Sequence, residues 1–336
     1  MARSRAWSGT FIVALLLVLL LPLSGAAQSR GAGRTTYSPP HTPWGDPDLQ
    51  GIYTNKDEAN TPIERPDQYQ GKRAEDFTAA DLANLAKQRQ AQAAKIAGGI
   101  GGAETGAGPP HWYEHLNGNG SRPWLIVDPP DGKLPALTPQ AQKREQAAAA
   151  LNNARNGDGR ADSWLDRSMY DRCITRGLPG SMMPAIYGNS YEIVQSPGYA
   201  VIRYEMIHEA RVVPLGTSPS HVGSAIREYV GDARGRWDGN TLVVETTNFT
   251  NRTHWGYNNR YNSEKLTLVE RFTPTGPKTL QWEVTVNDPE VWTRPFTFTM
   301  PLTRDDSQPI FEYACHEGNR GLEHILQAAR AEERGK

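Results

Sequence analysis

The second half of the chain alternates between apolar and polar residues in short runs. In residues 279–286, for example, Leu280, Trp282 and Val284 fall on one face of an extended chain, with polar residues between them. This period of two is typical of a β-strand with one packed face and one wetter face. Similar runs occur at residues 191–195, 199–207, 226–230, 241–247, 265–272, 295–300 and 310–314. Eight short strands separated by turn residues predict an antiparallel barrel or sandwich.

Helical spacing replaces this alternation in three places. Thr78 can cap a helix over residues 77–97, and Thr138 followed by Pro139 begins a second helix that ends near residue 156. A short third helix is predicted over residues 321–333. We therefore predict a mainly β fold, an antiparallel barrel of about eight strands with peripheral helices. Residues 49–53, or a neighbouring segment, are expected to close the barrel.

The N-terminus has the three parts of a secretory signal peptide. Arg3 and Arg5 precede an apolar run over residues 11–21, and small residues at 25–27 precede a cleavage position before Gln28. A membrane anchor is the alternative, but the run is shorter than the roughly 20 residues that span a bilayer. We expect a secreted or periplasmic protein with no membrane span after signal removal.

The predicted organisation follows from these patterns. Residues 1–27 form the signal peptide and residues 28–43 a flexible leader. Residues 44–165 form an N-terminal segment with the first strand, two helices and a Gly/Ala linker, and residues 166–336 form the barrel domain with its C-terminal helix.

Charge and motifs narrow the range of partners. The 336 residues carry a formal net charge of −1, whereas a nucleic-acid partner would favour a basic excess. Since no nucleotide-binding or redox-cofactor motif occurs, we expect no cofactor. A small-molecule ligand or substrate is the predicted partner, and the sequence makes no prediction about oligomeric state.

Two cysteines occur, Cys173 and Cys315. In an oxidising compartment they can form one disulfide that closes a loop of about 140 residues, which we favour over two buried thiols. The bridge would tie the start of the C-terminal region to its end.

Five residues are candidates for acid–base chemistry. Histidine exchanges protons near neutral pH, and two carboxylates that face one barrel interior can act as an acid and a base. The predicted catalytic residues are His208, Glu245, Glu270, Glu312 and His316. We predict no metal ligand set, although a zinc site that uses His208, His316 and a glutamate is an alternative.

Five further residues are candidates for ligand contact. Met206 shares a strand face with His208 if that strand continues, and Arg211 can clamp an anion. Aromatic residues near strand ends can line a pocket for a flat or sugar-like ligand. The predicted ligand-binding residues are Met206, Arg211, Asn248, Trp255 and Trp282.

These features support three functional hypotheses. The first is an exported barrel that binds a small apolar, aromatic or sugar-like ligand in its interior. The second is a cofactor-independent lyase, isomerase or hydrolase that uses a His/Glu pair. The third is a structural or interaction protein without a pocket.

Long phrases of the sequence resemble a known protein family. WGDPDLQGIYTN, YEMIHEARVVPL, GDARGRWDGNTLVVETTNF, SEKLTLVERF and EYACHEGNRGLEHIL are similar to motifs of a large family of exported bacterial proteins, most of which have no assigned activity. The similarity covers residues 43–70 and 170–333. It implies export and a shared β-rich domain, and it implies no catalytic residues. Gly51, Ile52 and Tyr53 also resemble the opening Gly-x-Trp of lipocalins, with Tyr in place of Trp, which implies a lipocalin- or calycin-like barrel.

Overall fold

A computed structural model describes most of the chain after the leader. The described residues are 37–99, 114, 118–153, 161–185, 187–217, 220–253, 261–307 and 309–335. The predicted signal peptide and most of the Gly/Ala linker lie outside these residues.

The described residues contain ten β-strands and three α-helices. The strands are β1 Gly51–Thr54, β2 Ile126–Asp128, β3 Ser190–Ser196, β4 Tyr199–Tyr204, β5 Ala210–Pro214, β6 Asp232–Asp238, β7 Thr241–Thr247, β8 Thr267–Gly276, β9 Thr279–Asn287 and β10 Phe296–Arg304. The helices are α1 Ala79–Gly99, α2 Pro139–Asn153 and α3 Gly321–Arg334.

The strands form a nearly closed antiparallel barrel. Nine of them follow the order β5-β4-β3-β1-β10-β9-β8-β7-β6, and β2 pairs with the beginning of β10. The predicted barrel with peripheral helices is therefore confirmed. β1 overlaps residues 49–53, which the sequence predicted to close the barrel, but it lies between β3 and β10 and not where the ends of the sheet meet.

The strand number sets how the barrel closes. Nine strands that alternate in direction leave the first and the last parallel, so β5 and β6 cannot continue the antiparallel ladder. They meet at a parallel bridge between Leu215 and Gly235, where the Gly216 amide donates to the Gly235 carbonyl at 3.0 Å. We call this contact the seam.

The sequence analysis missed the strands β2, β5 and β6, and two of the predicted strands are absent from the described residues. Residues 226–230 and 310–314 form no strand, and residues 232–238, where no strand was predicted, form β6. The inward positions of β6 include Ala233 and Gly235. Because such small residues carry little hydrophobic signal, the alternation of this strand cannot be recognised in the sequence.

Side chains fill the barrel interior. Trp282 lies at its centre, with its ring centroid 6.5 Å from that of Phe272 and 5.5 Å from that of Phe298. All three side chains are fully buried. Small barrels of about this size are commonly filled by their own side chains. The interior is therefore a packed core.

Side-chain contacts cap the helices or connect them to segments between the strands. Arg89 of α1 donates to the carbonyls of Arg122 and Pro123 at 2.9 and 2.7 Å. Thr138 caps α2, and Arg330 of α3 donates to the Ala161 carbonyl at 3.1 Å. None of the helices in the described part of the chain combines the length and apolar character that crossing a membrane requires.

The predicted disulfide is confirmed. Cys173, before β3, is bonded to Cys315, after β10, and the two are 142 residues apart. In the chain-entropy model, a loop of this length stabilises the fold by roughly 5 kcal/mol.

Replacing Gly235 with alanine should loosen the seam. A Cβ atom at this position would lie 2.6 Å from Leu215 Cδ2 and 2.8 Å from Val213 Cγ1, closer than real contacts allow. We expect a loss of about 1–3 kcal/mol in unfolding free energy, measured by urea denaturation. Gly223→Ala is the control, because nothing lies within 4 Å of a Cβ there. Equal stabilities of the two variants would contradict close packing at the seam.

Candidate functional site

One end of the barrel is covered by a segment that precedes β3. The strands β1, β4 and β7 end there, and β3, β5 and β6 begin there. Residues 169–185, which we call the cap segment, place Leu178 and Met182 in the core. Asn55, just after β1, donates from Nδ2 to the Met182 carbonyl at 2.7 Å. We call this the capped end of the barrel.

A depression of about 450 Å³ opens beside the cap segment. This volume lies in the range that is typical of small-molecule sites. Its walls are held by backbone contacts, because the Glu228 amide donates to the Asn248 carbonyl and the Thr250 amide donates to the Glu228 carbonyl, both at 3.0 Å. The lining residues are Glu209, Arg227, Glu228, Tyr229, Val230, Thr250 and Arg252.

Glu209 is the half-buried carboxyl group of the depression. Thr175 of the cap segment donates its hydroxyl to Glu209 Oε2 at 2.8 Å. Burial raises the pKa of Glu209, and the Thr175 hydrogen bond and the Arg211 charge offset that rise only in part. A carboxyl group with a raised pKa that lies in a concave site is suited to acid–base chemistry.

Arg211 and Glu270 form an ion pair inside the barrel. Arg211 Nη1 contacts Glu270 Oε2, Arg211 Nη2 donates to Oε1 at 3.1 Å, and Trp282 Nε1 donates to Oε1 at 3.1 Å. Burial acts to lower the pKa of Arg211, but the Glu270 charge outweighs it and the pKa is raised. Neither residue lines the depression, and Trp282 also lies in the core.

Two buried polar atoms, one in this ion pair and one next to it, have no hydrogen-bond partner among the described residues. They are the Tyr204 hydroxyl and Arg211 Nε. Arg211 pairs with Ile202 across β4 and β5, so Tyr204 is its diagonal neighbour on the inner face. Burial raises the pKa of Tyr204, so its hydroxyl stays protonated. Buried groups of this kind usually bind water or a ligand.

The predicted pair of Glu245 and Glu270 does not face one interior. Across β7 and β8, Val244 pairs with Glu270 and Glu245 pairs with Val269. Adjacent strand positions point to opposite faces, so the two carboxylates are separated by the sheet. That interpretation was wrong, because both acids lie in strongly apolar runs whose register the sequence does not specify.

Glu245 instead contacts His221, which the sequence analysis did not single out. His221 Nε2 lies 3.4 Å from Glu245 Oε1, and Nδ1 lies 2.9 Å from Asp232 Oδ2. Asn248, with a left-handed φ of 58°, donates from Nδ2 to the carbonyl of Val222 at 3.1 Å. Asn248 and His221 therefore both hold the loop before β6.

The two predicted histidines converge at the capped end. The ring centroids of His208 and His316 are 6.1 Å apart, and both side chains are exposed. The strand predicted over residues 199–207 ends at Tyr204, so Met206 and His208 lie in the turn between β4 and β5. Met206 Sδ accepts a hydrogen bond from the Tyr170 hydroxyl at 3.4 Å.

The part of the chain that the structure describes gives no site contact for the last two predicted residues, Glu312 and Trp255. Glu312 is exposed on the segment after β10, and Trp255 lies outside the described residues. Within the described residues, no group of three or more His, Cys, Asp or Glu side chains is arranged to hold a metal ion.

Several lining residues carried little sequence signal. Glu209 falls inside the segment around His208 that the sequence analysis singled out, where it was noted only as a neighbouring charge. Thr250 and Arg252 belong to two consecutive glycosylation sequons, Asn248-Phe249-Thr250 and Asn251-Arg252-Thr253, which do not indicate a ligand-binding site. These residues meet because β5, β6 and β7 begin or end at one place.

Breaking the buried ion pair should be far more costly than breaking a surface pair. Glu270→Gln leaves the buried Arg211 charge without its counter-ion, so we expect a loss of about 3–5 kcal/mol in unfolding free energy. The control is Glu192→Gln, which removes the partly exposed pair with Arg203 and should cost less than about 1 kcal/mol. The double variant Arg211→Met with Glu270→Leu should lose less unfolding free energy than the sum of the losses measured for Arg211→Met alone and for Glu270→Leu alone. Additive losses would argue against direct coupling.

Glu209→Gln should change how stability depends on pH. The pKa of Glu209 is raised above its ordinary value of 4.5, so the folded state holds this proton more tightly than the unfolded state. Burial disfavours the ionised form of Glu209. The unfolding free energy of the wild type therefore decreases as the pH rises through the raised pKa, because the folded state must then hold a buried charge. We expect the variant to gain stability relative to wild type as the pH rises from 4.5 through the raised pKa, measured by urea denaturation. A difference that stays constant with pH would contradict the effect of burial.

Comparison with known proteins assigns no function to the residues of the capped end. No protein-family model matches the chain, and neither a curated protein nor a solved structure matches it. The resemblance to exported bacterial proteins remains a prediction from the sequence phrases. Function must therefore be argued from the residues of the capped end.

Proposed function

We propose that the protein is exported and binds a small, hydroxyl-rich molecule, sugar-like in its chemistry, in the depression at the capped end. The observation that carries this proposal is a depression of ligand size whose lining includes Thr250, with a buried hydroxyl that has no hydrogen-bond partner in the described residues. Such a hydroxyl is stabilised when a ligand or water completes its hydrogen bonding.

The packed interior favours this location. Fully buried aromatic side chains occupy the interior of the barrel, where the first hypothesis placed a small apolar, aromatic or sugar-like ligand. An apolar ligand there would have to displace Trp282 or its neighbours, which form the core. The depression needs no such displacement, because it is open to solvent.

The lining offers both donors and acceptors. Glu209 and Glu228 can accept hydrogen bonds from ligand hydroxyls, and Arg252 and the Tyr229 hydroxyl can donate them. Thr250 can do either. The Tyr229 ring also provides a flat apolar surface. This mixture suits a polyhydroxylated ligand better than an extended apolar one.

Two observations support export. The N-terminal residues have the pattern of a secretory signal, and the Cys173–Cys315 disulfide fits an oxidising compartment.

Acid–base catalysis on the same ligand is the second candidate function. Its specific support is Glu209, a carboxyl group with a raised pKa that lines the depression and follows the exposed His208. Glu209 would take the acid–base role that the sequence analysis gave to His208 with Glu245, Glu270 or Glu312. The reaction class is then that of a lyase, isomerase or hydrolase, since these need only proton transfer at the site.

Native mass spectrometry of protein purified from a periplasmic extract tests both parts of the proposal. We expect a mature chain that begins near Gln28 and carries extra mass in the native spectrum only. Calorimetric titration with a panel of neutral and acidic sugars should then identify binding that Tyr229→Ala and Thr250→Val weaken about tenfold, or by about 1.4 kcal/mol.

Tyr199→Ala is the matched control, because Tyr199 is an exposed tyrosine of β4 outside the depression and its loss should leave binding unchanged. Binding that survives Tyr229→Ala and Thr250→Val, or a panel without any binding, would argue against the site. Recovery of the uncleaved chain from the cytoplasm would argue against export. Product formation that Glu209→Gln abolishes, with binding retained, would favour the catalytic candidate.

A further inference from the structure

Two exposed histidines meet at the capped end although they are far apart in sequence. His208 lies in the turn between β4 and β5, and His316 lies in the segment that follows β10. Their ring centroids are 6.1 Å apart, and the ring planes are tilted by 43°. Neither residue lines the depression, so the ligand proposed above does not account for their pairing.

The disulfide holds the backbone of both histidines. His316 directly follows Cys315, and His208 directly follows Ile207, which packs with Met206 against Cys173 and Cys315. Tyr187 and Tyr313 pack on the same cluster, with their hydroxyl oxygens 3.4 Å apart. The two exposed imidazoles therefore extend from one fixed support.

His208 has an unfavourable backbone conformation. Its φ is 133°, a region that side-chain-bearing residues rarely adopt. Such conformations are energetically unfavourable and are concentrated at functional sites. Glycine would relieve the strain, whereas this chain has a histidine with an exposed side chain at the position.

The separation of the rings is compatible with a shared metal ion. Imidazole nitrogens bind zinc at about 2.0–2.1 Å, so a ring centroid lies roughly 3.2 Å from the metal. Two such rings are then roughly 5.2 Å apart at a tetrahedral angle and at most about 6.4 Å apart when opposed. The observed 6.1 Å falls within this interval.

We propose that His208 and His316 form a two-histidine binding site for a late first-row divalent metal ion. Imidazole suits Zn²⁺, Ni²⁺ and Cu²⁺, and Cu²⁺ binds most tightly in this series. Because both rings are exposed, water or a ligand oxygen fills the remaining coordination positions. The site is separate from the depression and does not depend on a ligand there.

Titration of the purified, disulfide-bonded protein with Cu²⁺ tests the site. We expect one Cu²⁺ ion per chain at this site, with hyperfine splitting from two imidazole nitrogens in electron paramagnetic resonance spectra. His208→Asn and His316→Asn should each weaken binding at least tenfold and leave one such nitrogen. Asparagine is chosen at position 208 because it tolerates a positive φ better than most residues.

Two controls separate this site from others. His324→Asn removes an exposed histidine of α3 and should leave Cu²⁺ affinity unchanged. Tyr229→Ala should also leave it unchanged, because the residue belongs to the depression. Zn²⁺ should compete with Cu²⁺ in the wild type. Absence of Cu²⁺ binding, or binding with the same affinity and nitrogen splitting in both histidine variants, would overturn the proposal.

Discussion

Closure of the barrel depends on the buried ion pair between Arg211 and Glu270. The described ladder leaves β5 and β6 parallel, with one bridge at the seam, so hydrogen bonds between strands contribute little there. Arg211 extends from β5 across the interior to Glu270 in β8, and Trp282 completes the hydrogen bonding of the carboxylate. The pair thus joins the two sides of the seam from inside. Its desolvation is costly, and it is tolerated because the contacts around Glu270 are nearly complete.

The same pair determines where a ligand can bind. A barrel whose interior is occupied by an ion pair and by fully buried aromatic rings leaves no room at its centre. Polar groups that the interior does not satisfy, Arg211 Nε and the Tyr204 hydroxyl, lie towards the capped end. Glu209, two residues before Arg211 in the chain, lies at the capped end and lines the depression. Polarity therefore increases from the packed core to the capped end, which is where binding or proton transfer is physically reasonable.

The alternation of apolar and polar residues predicted most of the barrel strands, because most of them have one apolar face. It failed at β6, where Ala233 and Gly235 replace the expected large side chains so that the seam can close. It also extended β4 beyond Tyr204, since Met206 and Ile207 are apolar and buried but pack on the disulfide and not in the barrel. Sequence alone could name His208, His316 and the disulfide as candidates. It could not show that Glu245 and Glu270 face opposite ways, because that depends on the register of β7 and β8.

The disulfide links these observations. It lies outside the main core, in a small cluster with Met206 and Ile207, and so contributes little to packing of the barrel itself. At the capped end it fixes the beginning of the cap segment to the chain after β10, and the turn before β5 packs on it. That turn carries both His208 and Glu209, the former beside His316 and the latter in the depression. A single covalent bond thereby holds in place the residues of both proposed sites, and the strained backbone of His208 is sustained by the same support.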